Sequence, residues 1–94
     1  SDLVKITIYR IAQEALSNVV KYANAIDCHI TISQLDVSTL LLTVRDTGKG
    51  FDVATASSGI GLKNMRDRAR LVKADFRIES VIVQGTTIEC KFVV

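Results

Sequence analysis

The chain has no proline, a single histidine and two cysteines among its 94 residues. Without proline no element is interrupted by a missing amide donor, so boundaries must be read from glycine, polar clusters and changes of period. One histidine and two cysteines cannot build a four-ligand zinc centre, and Cys28 and Cys90 stand far apart with no CxxC pair. Both thiols are expected to be small core residues in a reducing, cytoplasmic compartment. No apolar run approaches the roughly 20 residues that cross a bilayer, and no signal peptide or lipidation motif is present. No membrane contact is expected of this segment, although a parent protein could carry an anchor. Charge of one sign is also scarce, with 12 basic against 10 acidic residues interleaved along the chain, which argues against nucleic acid as a partner. The densest basic run, Arg66 to Arg70, reads as a solvated helix face or as a docking surface for an acidic partner.

What is present is the composition of a folded domain, 48% hydrophobic and 23% charged, with neither internal repeats nor low-complexity segments. Residues 1–94 are expected to form one domain, and a start at Ser1 suggests a fragment whose neighbouring domains lie outside it. From Leu3 to about Ala23 the residues Val4, Ile8, Ile11, Ala12, Ala15, Val19 and Ala23 recur at helical spacing. CHITISQ then alternates as a strand, and LLLTVRD forms a second, joined to it by a turn near Asp36 to Ser38. The stretch from Thr47 to Gly59 is rich in Gly, Ser, Thr and Ala without periodicity and reads as a flexible loop. Leu62, Met65, Ala69 and Val72 mark a second amphipathic helix, and ADFRIES and TTIECKFVV two further strands. The order α, β, β, α, β, β predicts a two-layer α/β sandwich, with helices packed on one face of a mixed sheet.

Strand parity singles out one carboxylate. Leu40, Leu42 and Val44 point toward the helices and Asp46 follows with the same orientation, so a strand that buries apolar residues ends in an acid. A buried carboxylate needs donors from the protein or from a ligand, and an amino group on a heterocycle would serve. An aspartate that merely opens a turn with Thr47 and Gly48 is the alternative. Thr86 points inward with Ile88, Cys90 and Phe92, where its hydroxyl could serve the same ligand edge or a water. On the first helix Arg10, Glu14, Asn18 and Lys21 form one stripe flanked by Tyr22. Glu14 and Asn18, four apart, can aim a carboxylate and an amide oxygen at a hard cation such as Mg²⁺, with Lys21 and Tyr22 near phosphates; a plain solvated face is the alternative. SSGIGLKNM sets Gly59 and Gly61 at a loop-to-helix junction whose free amides favour anionic groups, or simply permit a turn.

Taken in order, QEALSNVVKYA, DTGKG, GIGL and GTT resemble the catalytic ATP-binding (HATPase, GHKL) domain of sensor histidine kinases, in the superfamily shared with gyrase, Hsp90 and MutL. The similarity covers nearly the whole chain, and GIGLKNMRDRA with a short lid looks most like the subfamily paired with helix-turn-helix (NarL-type) response regulators. The resemblance implies a Bergerat fold with ATP between helices and sheet and the loop from Thr47 to Gly59 as lid. By that likeness Asp46 accepts the adenine amino group, Gly48 and Gly50 admit the base, Thr86 holds a water beside it and Asn18 coordinates Mg²⁺. Lys21 and Tyr22 lie near the phosphates, Gly59 and Gly61 shape the lid hinge and the phosphate-facing helix start, Leu62 belongs to the nucleotide-binding set, and Glu14 is a catalytic or metal-shell residue. The resemblance further implies a protein histidine kinase module donating the γ-phosphate to a histidine on a missing helical dimerisation domain, for relay to a response regulator. The other readings are an anti-sigma-factor serine kinase of the same fold and a non-catalytic nucleotide-sensing module. His29 alternates outward and is expected at the surface, so the chain alone should not phosphorylate itself. Two departures stand out: Lys73-Ala74 where many relatives carry Gly-Gly, and VIVQG where many carry a Pro-Gly turn.

Overall fold

A computed structural model describes residues 2–20, 27–48 and 62–94. Within them the elements are α1 (Asp2–Asn18), β1 (Cys28–Asp36), β2 (Thr39–Asp46), α2 (Leu62–Leu71), β3 (Asp75–Val81) and β4 (Gly85–Val93). The α, β, β, α, β, β order is the expected one. The helical pattern expected to run to about Ala23 passes at its end into residues 21–26, which lie outside the described residues.

The sheet order is β1-β2-β4-β3, and every described strand pair is antiparallel. This corrects the expectation of a mixed sheet. A strand, helix, strand crossover from β2 through α2 to β3 would give a parallel pair if β3 lay beside β2. Here β4, returning from β3 by a hairpin, inserts between them, so each neighbour runs opposite to the next.

The periodicities produce one core. Val4, Ile8, Ile11 and Ala15 of α1 and Leu62, Met65 and Ala69 of α2 meet Leu42 and Val44 of β2 and Ile88, Cys90 and Phe92 of β4. Ile11, Leu42, Met65, Cys90 and Phe92 are wholly excluded from solvent, and each large apolar side chain so buried contributes about 1.5–3 kcal/mol. Thr7 is buried within the apolar stripe of α1, where its Oγ1 donates to the Leu3 carbonyl at 2.7 Å and so satisfies itself locally. Burial, with a smaller push from Asp75, raises the Cys90 thiol to about 12. The helices do not cover the β1 edge: Ile30 and Ile32, opposite Val44 and Leu42 and thus on the helix side, remain 42% and 58% exposed.

Two turns replace the glycine turns expected of relatives. At the end of α2 the Ala74 amide bonds the Ala69 carbonyl at 2.8 Å and the Lys73 amide bonds the Arg70 carbonyl at 3.0 Å, a Schellman closure with Lys73 at φ 56°. In the β3–β4 hairpin Val83 takes φ 74°, unusual for a β-branched residue, and Gly85 takes φ 124°. Lysine and valine hold conformations that glycine adopts without strain. The β1–β2 turn is conventional, with Asp36 Oδ1 accepting the Ser38 amide at 2.9 Å, a bond that holds the Asp36 carboxyl below its usual range.

Candidate functional site

The core layer stops at one end of the two central strands, and the polar residues begin there. Along β2 the helix-facing series Leu42, Val44, Asp46 goes from apolar to charged without leaving the interior; Asp46 is only 7% exposed. On β4 the matching series runs Phe92, Cys90, Ile88, Thr86, and Thr86 is 8% exposed. Asp46 and Thr86 are direct register partners, so a buried carboxylate and a buried hydroxyl stand side by side at the end of the core.

Asp46 is at once buried and the opener of a turn. Its Oδ1 accepts the Gly48 amide at 2.8 Å, the bond of an aspartate that opens a turn. A turn alone does not require the acid to be buried, and this one sits over Val44 and beside Thr86. Gly48 is buried too. The Thr47 amide bonds the Asp27 carbonyl at 3.2 Å, which extends the β1–β2 pairing one residue beyond Asp46 and fixes the start of the loop. Across β1, Cys28 is the register partner of Asp46, and burial first, then the Asp46 charge, raises its thiol above the usual value.

The α1 residues fall as the 100° rule places them. Glu14 and Asn18 are half-buried, one turn apart, beside the buried Ile11 and Ala15, and α1 packs against β2. Arg10 is exposed. Leu62, at the first turn of α2, is 1% exposed within the core cluster. Lys21, Tyr22, Gly50, Gly59 and Gly61, and the lid beyond Gly48, lie outside the described residues. His29 is exposed as expected. Arg66 to Arg70 lies on α2, where the Arg66 guanidinium stands 5.9 Å from the Phe76 ring centroid and Arg68 and Arg70 occupy the last turn, favourable for the helix dipole.

Two residues not named among the site candidates build this end of the sheet. Gly85 is the first: a Cβ placed on it would lie 2.2 Å from the Asp46 carbonyl oxygen and 3.1 Å from Thr47 Cα. Glycine there lets the β3–β4 hairpin close directly onto the backbone that carries Asp46. Its signal was the glycine just before the inward Thr86. Ser80 is the second, its Oγ 2.7 Å from Thr86 Oγ1 and 3.3 Å from the Gly85 carbonyl. Parity along β3, which sets Phe76, Ile78 and Ser80 on one side, would have found it.

Among the described residues no group of three or more His, Cys, Asp or Glu side chains could hold a metal ion. Glu14 and Asn18 on α1 could offer one carboxylate and one amide oxygen, a sparse oxygen ligation of the kind that Mg²⁺ carried in on phosphate accepts. A helix pair over an antiparallel sheet, with a buried acid and a threonine side by side at the strand ends, defines a two-layer α/β domain whose core ends in polar residues. Its fold is that of solved kinase domains. A histidine kinase domain from Erythrobacter litoralis EL346 blue-light activated histidine kinase superposes with a TM-score of 0.75 at 19% identity, over 88% of this chain and 41% of that one. The Acinetobacter baumannii histidine kinase AdeS does so with a TM-score of 0.76 at 15% identity, over 93% of this chain and 45% of that one.

The model of the histidine kinase-, DNA gyrase B-, and HSP90-like ATPases matches residues 4–94, and the chain belongs to that family. In sequence it is 41% identical over 85 residues to the sensor protein VraS of Staphylococcus aureus strain COL, across 89% of this chain. The chain spans 24% of the length of that relative.

Proposed function

We propose that this chain is the Mg·ATP-binding catalytic domain of a sensor histidine kinase, with residues 1–94 as one ATP-binding module. It presents the γ-phosphate to a histidine on a helical dimerisation domain, for relay to an aspartate of a response regulator, in the subfamily that serves helix-turn-helix regulators. The module works on the cytoplasmic side; none of the described helices is long and apolar enough to cross a membrane.

The observation that carries this reading is the buried Asp46, opposite Thr86 and closed by the Gly48 amide. A carboxylate in a water-poor site accepts an N–H strongly, and the adenine amino group offers one. The Gly48 bond orients the carboxylate before the ligand arrives, so little freedom is lost on binding. Glu14 and Asn18 supply the oxygen donors for Mg²⁺, which neutralises charge on the phosphates when bound. Lys21 and Tyr22 contact the phosphates, Gly48 and Gly50 admit the base, Gly59 and Gly61 shape the lid hinge and the start of α2, and Leu62 belongs to the nucleotide site. In such a transfer the protein chiefly positions the phosphoryl group in line with its acceptor and stabilises its charge.

Calorimetric titration with ATP, with and without Mg²⁺, tests the assignment. In Asp46→Asn the amide oxygen can keep the Gly48 bond, but the NH₂ then meets the adenine amino group donor to donor. The lost charged hydrogen bond, about 1.5–3 kcal/mol, predicts binding weakened about 10- to 150-fold. Asn18→Ala removes the Mg²⁺ dependence while leaving metal-free binding near wild type. Wild-type chain that is folded and ignores ATP would sink the proposal.

A further inference from the structure

We infer that Cys28 belongs to the nucleotide site: its thiol stands on the β1 side of the Asp46 carboxylate, so that modification of Cys28 by a thiol-directed electrophile and the binding of ATP exclude each other. The inference rests on the ATP reading above and adds to it a residue, and a modification site, that the reading does not use.

The helix-facing side of the sheet ends in a polar row. Ser80, Thr86, Asp46 and Cys28 are successive register partners across β3, β4, β2 and β1, and the row before it is Ile78, Ile88, Val44 and Ile30. Register partners share a face, so Cys28 turns toward the helix layer as Asp46 does, with their Cβ atoms about 4.5–5.5 Å apart. The thiol registers this closeness: after burial, the Asp46 charge is the second cause that raises it. Cys28 packs against the core on one side and is half-buried, neither sealed in like Cys90 nor on the free surface.

A separate observation points to a ligand at this place. Asp46 is only 7% exposed, its Oδ1 takes the Gly48 amide, and no other hydrogen bond reaches its carboxylate among the described residues. Oδ2 is still not sealed in, because no wholly buried side-chain oxygen among the described residues lacks a partner. That oxygen is the acceptor which the proposed function gives to the adenine amino group. The core closes one side of Cys28, and a group attached to Sγ, starting about 5 Å from Asp46, takes the space the amino group must enter. N-ethylmaleimide supplies such a group. The thiolate sulfur adds to one alkene carbon, a C–S bond replaces the C=C π bond, and the other carbon takes a proton from water.

The experiment follows N-ethylmaleimide labelling of the wild-type chain by peptide mass spectrometry at mildly alkaline pH, without ATP and with ATP at about ten times its Kd. Cys90, wholly excluded from solvent, labels only when the chain opens and so reports unfolding in the same sample. Cys28 should label faster than Cys90, and mutually exclusive binding should slow it about tenfold at that ATP concentration. The chain labelled at Cys28, shown by circular dichroism to be folded, should bind ATP at least about tenfold more weakly in calorimetry. Maleimide treatment of Cys28→Ser should leave that variant's ATP affinity where it stood before treatment. Cys28→Phe adds bulk without a reagent, should weaken ATP likewise, and serves if the labelled chain unfolds. Labelling of Cys28 no faster than Cys90, slowing by less than about twofold, or a folded labelled chain that binds ATP as before overturns this inference alone. Absence of ATP binding to folded wild type overturns the nucleotide reading and this inference with it.

Discussion

Replacing Gly85 by alanine should damage stability and nucleotide binding together, because one methyl group reaches both. The added Cβ would sit 2.2 Å from the Asp46 carbonyl oxygen, more than 1 Å inside the 3.4–4 Å of ordinary contact, with Asp46 C and Thr47 Cα both at 3.1 Å. All three obstacles are backbone, so no side chain can swing aside. At φ 124° alanine is strained as well, at about 1–3 kcal/mol for a residue held in such a region. The strand ends must therefore separate by roughly 1 Å, and the chain that moves carries the Asp46 carboxylate and its Gly48 bond. Together these predict a loss of about 2–4 kcal/mol, which for a chain of this size lowers Tm by roughly 10–25 °C. Thermal unfolding followed by circular dichroism reads the first effect. ATP titration at a temperature where the variant remains folded reads the second, expected to be at least about tenfold weaker. Gln84→Ala, at an exposed position in the same hairpin, is the control and should change neither. If Gly85→Ala melts within about 2 °C of wild type and binds ATP normally, the close approach of the hairpin to Asp46 does not govern the site.

Lys73→Gly and Val83→Gly each relieve a positive φ, at 56° and 74°, and should raise stability by about 0.5–1 kcal/mol in urea unfolding; a loss in both would refute the strain. Cys90 should impose an alkaline limit: below about pH 9 folded and unfolded chains both keep the thiol proton, whereas from there to about 12 only the folded chain does. Stability therefore falls as pH rises through that window, with a slope of up to about 1.4 kcal/mol per pH unit that Cys90→Ala should lack, measured by urea unfolding at a series of pH values.

How legible was this molecule? The elements were written in local pattern. Apolar residues at helical spacing in α1 and α2, and alternation in β2 and β4, named the core side chains before any packing was known, because burial demands one face per element. The same parity put Asp46 and Thr86 inside and His29 outside. Parity depends on a strand's own pleat and nothing else, so it survives ignorance of neighbours. Four short motifs in order carried the family resemblance.

Neighbours were what the sequence withheld. That β4 inserts between β2 and β3, turning an expected mixed sheet antiparallel, is a choice among pairings that alternation does not distinguish. That Asp46 faces Thr86 across one ladder step follows from register, a relation between distant segments. Ser80 and Gly85 entered the site only when β3 and β4 closed their hairpin against the end of β2, since a hydroxyl contact and a missing Cβ have meaning only beside a particular partner. The sequence by itself determined which side chains would be buried and that one of them would be a carboxylate. Tertiary structure decided what that carboxylate stands beside, because hydrogen-bond direction and steric clearance act over a few ångströms between residues that the chain keeps about 40 positions apart.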